Sequence, residues 1–335
     1  MKSNKVFIIA EAGVNHNGSI EKALKLVDIA KKAGADAVKF QSFIASEEIS
    51  SFAPKAKYQM STTNPNESQL DMIKKLEFSI KEQKKIKSYC NKLKIEFISS
   101  PFDIKSINIL KKLKIKTVKI PSPEINNLPY LVEISKKFSK IILSTGMSTM
   151  KEICTAIKIL KKNKKKDISI LHCISSYPTK LEDLNLNAIH TLKNKFNNII
   201  GFSDHSLGLE GSLLAVAVGA RIIEKHFTIN RNLNGPDHKV SLSPKQLNEL
   251  IKKIRQVEKI LGSGIKKPQQ SEIENIKVVR KSLVARENIK IGNKFTKKNI
   301  TTKRPGTGIS PMKWKSIIGK KSKYNYKKDE ILKRF

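Results

Sequence analysis

Three kinds of side chain recur along this sequence where chemistry would need them: lysines within short apolar runs, serines just beyond such runs, and histidines beside carboxylates. Lys39 lies in the run 37–40 and Lys119 in the run 117–120. A charge in a buried run is costly unless it is paired or used. With Ser122 and Ser144, the two lysines supply the positive charge and hydroxyls that surround a phosphate or a carboxylate. The turn Ser144-Thr145-Gly146 offers backbone N–H groups ahead of a helix, which suits a phosphate. Helix N-capping is the structural alternative for these serines. His205 and His226 follow two successive apolar runs. Imidazoles from neighbouring strands can share one divalent metal and leave positions for water and substrate. Either histidine alone reads more readily as a hydrogen-bonded structural residue; the pair, in company with carboxylates, reverses this and favours the metal. Glu11 or Asp237 can orient or deprotonate a water, although the segment 234–238 also reads as a plain turn.

The elements that position these residues follow from periodicity. Short apolar runs at 6–10, 37–40, 95–98, 117–120, 141–143, 168–171, 199–202 and 221–224 alternate with Lys-rich segments whose apolar residues fall at i, i+3, i+4 and i+7. The first such segment ends in Gly34, a helix stop. Eight strands alternating with helices predict a (β/α)8 barrel, a TIM barrel. A doubly wound open sheet is the competitor, weakened by the absence of a GxGxxG fingerprint after the first strand. In a barrel the strand ends face one mouth. They carry Glu11, Lys39 with Gln41, Ser100 with Phe102, Lys119 with Ser122 and Glu124, Ser144, the segment 172–177, His205, and Glu224 with His226. Residues 42–75 and 227–243 are too long for simple connections, and such loops build or cover sites. The composition predicts a barrel over 1–264, a linker at 265–276, and a small, mostly β module at 277–335. A module of that size is marginal alone and is expected to dock on something.

Composition bounds the partners. The net charge of +37 invites a nucleic-acid reading. The bases are nearly all lysine, however, spread along the chain. Arginine, the residue for bidentate phosphate and base contacts, is confined to Arg221, Arg231, Arg255, Arg280, Arg286, Arg304 and Arg334. No specific nucleic-acid partner is expected; the charge attracts anionic substrates. Cys90, Cys154 and Cys173 stand far apart, with no disulfide or zinc spacing, and are expected as buried thiols. No apolar stretch is long enough to span a membrane, and the N-terminal run meets Glu11 too soon for a secretion signal, so a cytoplasmic protein is expected.

Taken in order, AEAGVNHNGS (10–19), KFQ (39–41), ESQLDMIKKLE (67–77), SSPFD (99–103), KIPS (119–122), STGM (144–147), GFSDHS (201–206), EKHFT (224–228), GPDH (235–238) and TTKRPGTGISP (301–311) resemble the sialic acid synthase family along the whole chain. The last of these resembles that family's antifreeze-like (SAF) domain. The resemblance implies a domain-swapped homodimer in which the antifreeze-like domain of one subunit caps the barrel mouth of the other. It implies a divalent metal, Mn2+ or Mg2+, on His205 and His226. It implies condensation of phosphoenolpyruvate with an N-acetylated amino-sugar aldehyde and loss of phosphate by C–O cleavage.

By the same resemblance Lys119, Ser122 and Ser144 hold the phosphate. Lys39 and Gln41 lie near the carboxylate and reacting carbons, with Ser100 and Phe102 on that side. Glu11 moves a proton or positions water, Tyr177 and Asp237 contact the sugar, and Arg304 reaches the N-acetyl group from the partner. Glu124 and Glu224 are assigned with them to the substrate. Two residues depart from the family pattern: Pro123 replaces a glycine, and Ile174 stands where a hydrogen-bonding residue is common. The expected reaction is N-acetylneuraminate synthesis from N-acetylmannosamine. The alternative is legionaminic acid synthesis from 2,4-diacetamido-2,4,6-trideoxymannose; the pseudaminic branch fits GPDHKVSLSP less well. An inactive barrel and a basic nucleic-acid binder are the readings outside enzymes.

Overall fold

The computed structural model of the 335-residue chain describes residues 5–60, 63–64, 66–162 and 167–333. Parts of two expectations therefore lie outside the described residues: Ser61, Thr62 and Pro65 of the long second connection, and Arg334 of the arginine set. Contacts divide the chain into two units, Met1–Gly262 and Ser263–Phe335.

The first unit is a closed parallel barrel in the order β1 to β8. Its strands are β1 (Phe7–Gly13), β2 (Ala37–Ser42), β3 (Glu96–Pro101), β4 (Thr117–Ile120), β5 (Lys140–Ser144), β6 (Asp167–Cys173), β7 (Ile199–Asp204) and β8 (Ile222–His226). The pairing of β1 with β8 completes the ring and excludes an open sheet. The helices carry the punctuation that periodicity called for. Helix Ile20–Ala33 starts on Ser19, whose hydroxyl accepts from the Lys22 N–H, and stops at Gly34 with φ +88. That left-handed conformation is cheap only for glycine. Capping boxes open helices Ile80–Leu93, Met150–Lys161 and Pro244–Leu261.

A strand repeats every two residues, so one face of each strand lines the barrel lumen. Ile9, Ala37, Ile98, Ile142, Leu171 and Ile222 form one apolar cluster inside the ring. Two residues further along these strands come Glu11, Lys39, Ser100, Ser144, Cys173 and Glu224, all buried. An apolar plug thus supports a polar layer directly above it. The opposite strand faces pack on the helices in the main core, with Ile8, Val38, Phe97, Ile170 and Phe202 among its members. Gly201 is needed where β7 meets its neighbours: a Cβ there would lie 2.5 Å from the Ile222 carbonyl oxygen and 2.6 Å from Leu171 Cδ2.

The second unit pairs β9 (Ser282–Ala285) with β10 (Ile300–Lys303) in an antiparallel sheet. Single bridges at Val284–Ile331, Ile289–Tyr326 and Lys294–Lys321 extend it. Its own core includes Leu283, Phe295, Ile300, Ile317 and Leu332. The stretch that reads as a linker is partly ordered: a helix runs over Ile273–Val279 without a buried side chain. Among the described residues, no helix is long and apolar enough to cross a membrane. Cys90 and Cys173 are buried and unbridged; Cys154 is half-buried rather than fully so, on the outer helix after β5.

Candidate active site

A cavity of about 650 Å³ opens at the C-terminal ends of the strands and is lined by Glu11, Lys39, Gln41, Ser100, Phe102, Lys119, Ser122, Ser144, Tyr177, His205, Glu224, His226 and Asp237. Its floor is a buried ion cluster. Lys39 Nζ lies 2.9 Å from Glu11 Oε1 and 3.8 Å from Glu224 Oε1, and Lys119 Nζ lies 3.1 Å from Glu224 Oε1. Ser203 donates to the same Glu224 oxygen at 3.0 Å, and Lys39 donates to Ser100 Oγ at 3.3 Å. None of the four charged residues is more than 4% exposed.

Burial alone would neutralise Glu224, but Lys119 and Lys39 override it and hold the carboxyl down at about 2. Burial dominates at Glu11 and, with the Glu224 charge, outweighs Lys39, placing this carboxyl at about 7. Two cations therefore face one firmly ionised carboxylate and one that titrates near neutrality. Such a floor has positive charge to offer an anion and a group suited to moving a proton at neutral pH.

The cluster leaves specific atoms unused. Among the described residues six buried side-chain N or O atoms have no partner, and four of them, Glu11 Oε2, Glu224 Oε2, Ser144 Oγ and His226 Nδ1, belong to residues lining this cavity. Buried polar atoms are nearly always satisfied, so this concentration marks a place where a ligand completes the structure.

Helix capping does not account for the serines. The helix after β5 is capped by Thr149, beyond the strand end at Ser144, and the turn at Ser122 is led by Pro121. The expectation that the turn at 144–146 presents free backbone donors needs correction. The Gly146 N–H donates to Ser122 Oγ at 2.9 Å, and the Thr145 N–H donates to the Leu171 carbonyl at 3.1 Å. Hydroxyls, rather than those N–H groups, are what this segment offers to the cavity.

The two histidines come together with ring centroids 5.6 Å apart. His205 Nδ1 sits 2.7 Å from the Ile174 carbonyl; with the proton on Nδ1, Nε2 carries the lone pair. The contact of Ile174 with the histidine runs through its backbone, not its side chain. Burial and the neighbouring His205 push His226 well below its ordinary value, so its ring is neutral, with Nδ1 unpartnered and 3.8 Å from Asp237 Oδ2. Burial raises Asp237 to about 6. Two imidazoles beside a carboxylate, that of His226 neutral with an orphaned nitrogen, fit a divalent ion held by few protein ligands with open positions. Among the described residues no group of three or more His, Cys, Asp or Glu is arranged to hold a metal. Tyr177 lies against His205, with centroids 4.2 Å apart.

One assigned residue of the barrel, Glu124, is not gathered in. Glu124 is half-buried and accepts from Asn127 Nδ2 at 2.6 Å, outside the residues that line the cavity. Arg304 follows β10 on an exposed turn of the second unit.

Sequence reasoning missed the pair behind the histidines. Asp204 and Lys225 stand opposite one another on β7 and β8 and form a buried ion pair at 2.7 Å. Asp204 also accepts from the Ser206 N–H at 2.9 Å, Ser206 Oγ at 2.6 Å and Ser212 Oγ at 2.6 Å, while Lys225 donates to the Ser206 carbonyl at 2.8 Å. Opposite charges one residue before each histidine were the available signal. Also missed were Val14, directly after β1, and Ile49, Gln69 and Ile73 on the long connection after β2, which line the cavity.

Comparison with known proteins gives this geometry its family. Residues 26–266 match the NeuB family and residues 280–334 match the SAF domain. The chain is 50% identical over 331 residues to the N,N'-diacetyllegionaminic acid synthase of Campylobacter jejuni, spanning 98% of this chain and 99% of that one. It is 42% identical over 323 residues to the protein of the same name from Legionella pneumophila, spanning 95% and 91%. Among solved structures, the N-acetylneuraminic acid (sialic acid) synthetase of Leptospira borgpetersenii, crystallised with citrate, aligns with a TM-score of 0.71 at 41% identity over 81% of this chain and 90% of that one. A (β/α)8 barrel with a polar mouth, followed by a SAF domain and matched along nearly its whole length by sugar-acid synthases, the chain is an enzyme of the sialic acid synthase (NeuB) family.

Proposed function

We propose that this enzyme condenses phosphoenolpyruvate with 2,4-diacetamido-2,4,6-trideoxymannose and water, giving N,N'-diacetyllegionaminic acid and phosphate. The observation that carries the reaction class is the convergence of Lys39, Lys119, unpartnered Ser144 and the His205–His226 pair on one buried floor. The choice of sugar rests on the 50% and 42% identical relatives, both named as legionaminic acid synthases.

In this reading Lys119, Ser122 and Ser144 hold the phosphate, and Lys39 with Gln41 holds the carboxylate. A divalent metal, Mn2+ or Mg2+, held by His205 and His226 supplies Lewis-acid polarisation of the sugar aldehyde oxygen when bound. C3 of phosphoenolpyruvate forms the new bond to the aldehyde carbon, and water adds at C2. Glu11, with its carboxyl near neutrality, takes the proton of that water, and the C2–O bond to phosphate then breaks. Tyr177 and Asp237 border the sugar beside the histidines. The SAF domain of a second subunit completes the mouth with Arg304, making the working unit a cytoplasmic homodimer.

N-acetylneuraminate synthesis from N-acetylmannosamine is the second reading, favoured by the likeness to the Leptospira synthetase. Phosphate release from phosphoenolpyruvate, measured with each sugar and added Mn2+, tests both. The proposal expects a higher kcat/KM with the diacetamido sugar; release with neither would refute the reaction class.

A further inference from the structure

The closed strand order divides the mouth into sectors. The side chains assigned to the anion come from the ends of β2, β4 and β5, with Cys173 and Ser175 following from β6. The histidines and Asp237 come from β7, β8 and the loop beyond. The loops that follow β1 to β3 build a wall that differs in kind from the floor of Glu11, Lys39 and Gln41. Val14 follows β1, Ile49, Gln69 and Ile73 lie on the connection after β2, and Phe102 follows β3. Val14, Phe43 and Leu76 form an apolar cluster of their own, with Ile73 and Phe102 packed against it, separate from the barrel core.

The connection that builds this wall is tied down. The Ala45 N–H donates to Glu77 Oε2 at 3.0 Å, joining its entry to its exit, and the Ile44 N–H donates to Asp103 Oδ2 at 2.9 Å. Within it Lys55 donates to the Asn64 carbonyl at 2.6 Å and pairs with Glu67 at 3.3 Å. A surface held in this way presents an apolar patch of Val14, Ile73 and Phe102, with the Glu48 carboxylate and the Gln59 and Gln69 carboxamides also lining the cavity from the connection after β2.

A sugar tail bearing only hydroxyls gains little from such a wall, because each hydroxyl placed against hydrocarbon loses a hydrogen bond to water. A 6-deoxy sugar with a second acetamido group offers two methyl groups and one amide at that end. We propose that the β1–β3 wall, with Val14 and Ile73 at its centre and Gln69 at its edge, selects the 6-deoxy, N-acylated end of the sugar over a polyol end. This rests on the diacetamido reading above and adds the residues that enforce it.

The test is the ratio of kcat/KM for the 2,4-diacetamido sugar to that for N-acetylmannosamine, in wild type, Ile73→Asn and Val14→Thr. The second substitution conserves volume and covers the case in which the first fails to fold. One methyl against an apolar wall discriminates by about 10-fold or more. The ratio is expected to fall about tenfold in Ile73→Asn and by a smaller factor in Val14→Thr, while KM for phosphoenolpyruvate, held by Lys39, Gln41 and Lys119 rather than by this wall, stays within about twofold. A wild type that prefers N-acetylmannosamine sinks the diacetamido reading. A wild type that prefers the diacetamido sugar, with folded variants that keep its ratio, overturns the wall alone.

Discussion

Asp204 and Lys225 form a buried pair whose two halves are unequally supported, and that inequality predicts unequal damage. In Lys225→Met, Asp204 loses its cation but keeps three donors: the Ser206 N–H, Ser206 Oγ and Ser212 Oγ. In Asp204→Asn, Lys225 keeps only the Ser206 carbonyl. Removing one partner of a buried pair costs about 3–5 kcal/mol when the other is stranded. Asp204→Asn is therefore expected in that range, and Lys225→Met at about 1–3 kcal/mol, the cost of a partly compensated buried polar group. The double variant should cost less than the sum, with a coupling of about 0.5–3 kcal/mol. Urea unfolding of the three variants, followed by far-UV circular dichroism, measures this. Each residue directly precedes a histidine, so Mn2+ affinity, read by electron paramagnetic resonance, should fall in the same order. Lys225→Met proving as costly as Asp204→Asn, or strict additivity, would refute the reasoning.

Other outcomes follow from the same geometry. His205→Ala should weaken Mn2+ binding by more than the about 10–100-fold lost when only an outer partner is removed; titration of the folded variant at unchanged affinity would remove His205 from the metal. Because the Glu11 carboxyl lies at about 7 against an ordinary 4.5, the folded state holds a proton that the unfolded state has released between those values. Its contribution therefore makes stability fall as pH rises from 4.5 towards 7, and Glu11→Gln should remove that component of the slope in pH-dependent unfolding. If the second subunit supplies Arg304, mixing inactive Glu11→Gln and Arg304→Ala chains should restore some activity, and verified mixed dimers without rescue would count against the swap.

The barrel was legible because β-strands buried on both faces read as continuous apolar runs, and eight of them alternate with helical patterns. The polar layer was legible for a related reason: Lys39, Lys119 and Glu224 interrupt such runs where an unpaired charge is prohibitive. Their pairing was not, because Glu224 meets Lys119 only across the closed ring. Ring closure also hid Asp204 and Lys225, each an ordinary surface residue until β7 and β8 lie side by side. The turn at Ser144 was read with free N–H groups because no sequence pattern shows that Ser122 reaches Gly146. The apolar wall was unreadable for a different reason: Val14 and Ile73 are far apart in sequence, and their meeting depends on an irregular connection without a period. The preference for N-acetylmannosamine came from motifs that both branches of the family share, and the relatives' names now favour the other sugar.

The most direct test follows the oxygen that bridges C2 and phosphorus in phosphoenolpyruvate. With that oxygen labelled as 18O, the enzyme, Mn2+ and 2,4-diacetamido-2,4,6-trideoxymannose should yield labelled phosphate and an equal amount of unlabelled nine-carbon acid, both read by mass spectrometry. Label retained in the sugar acid, or no acid formed from either this sugar or N-acetylmannosamine, would contradict the account.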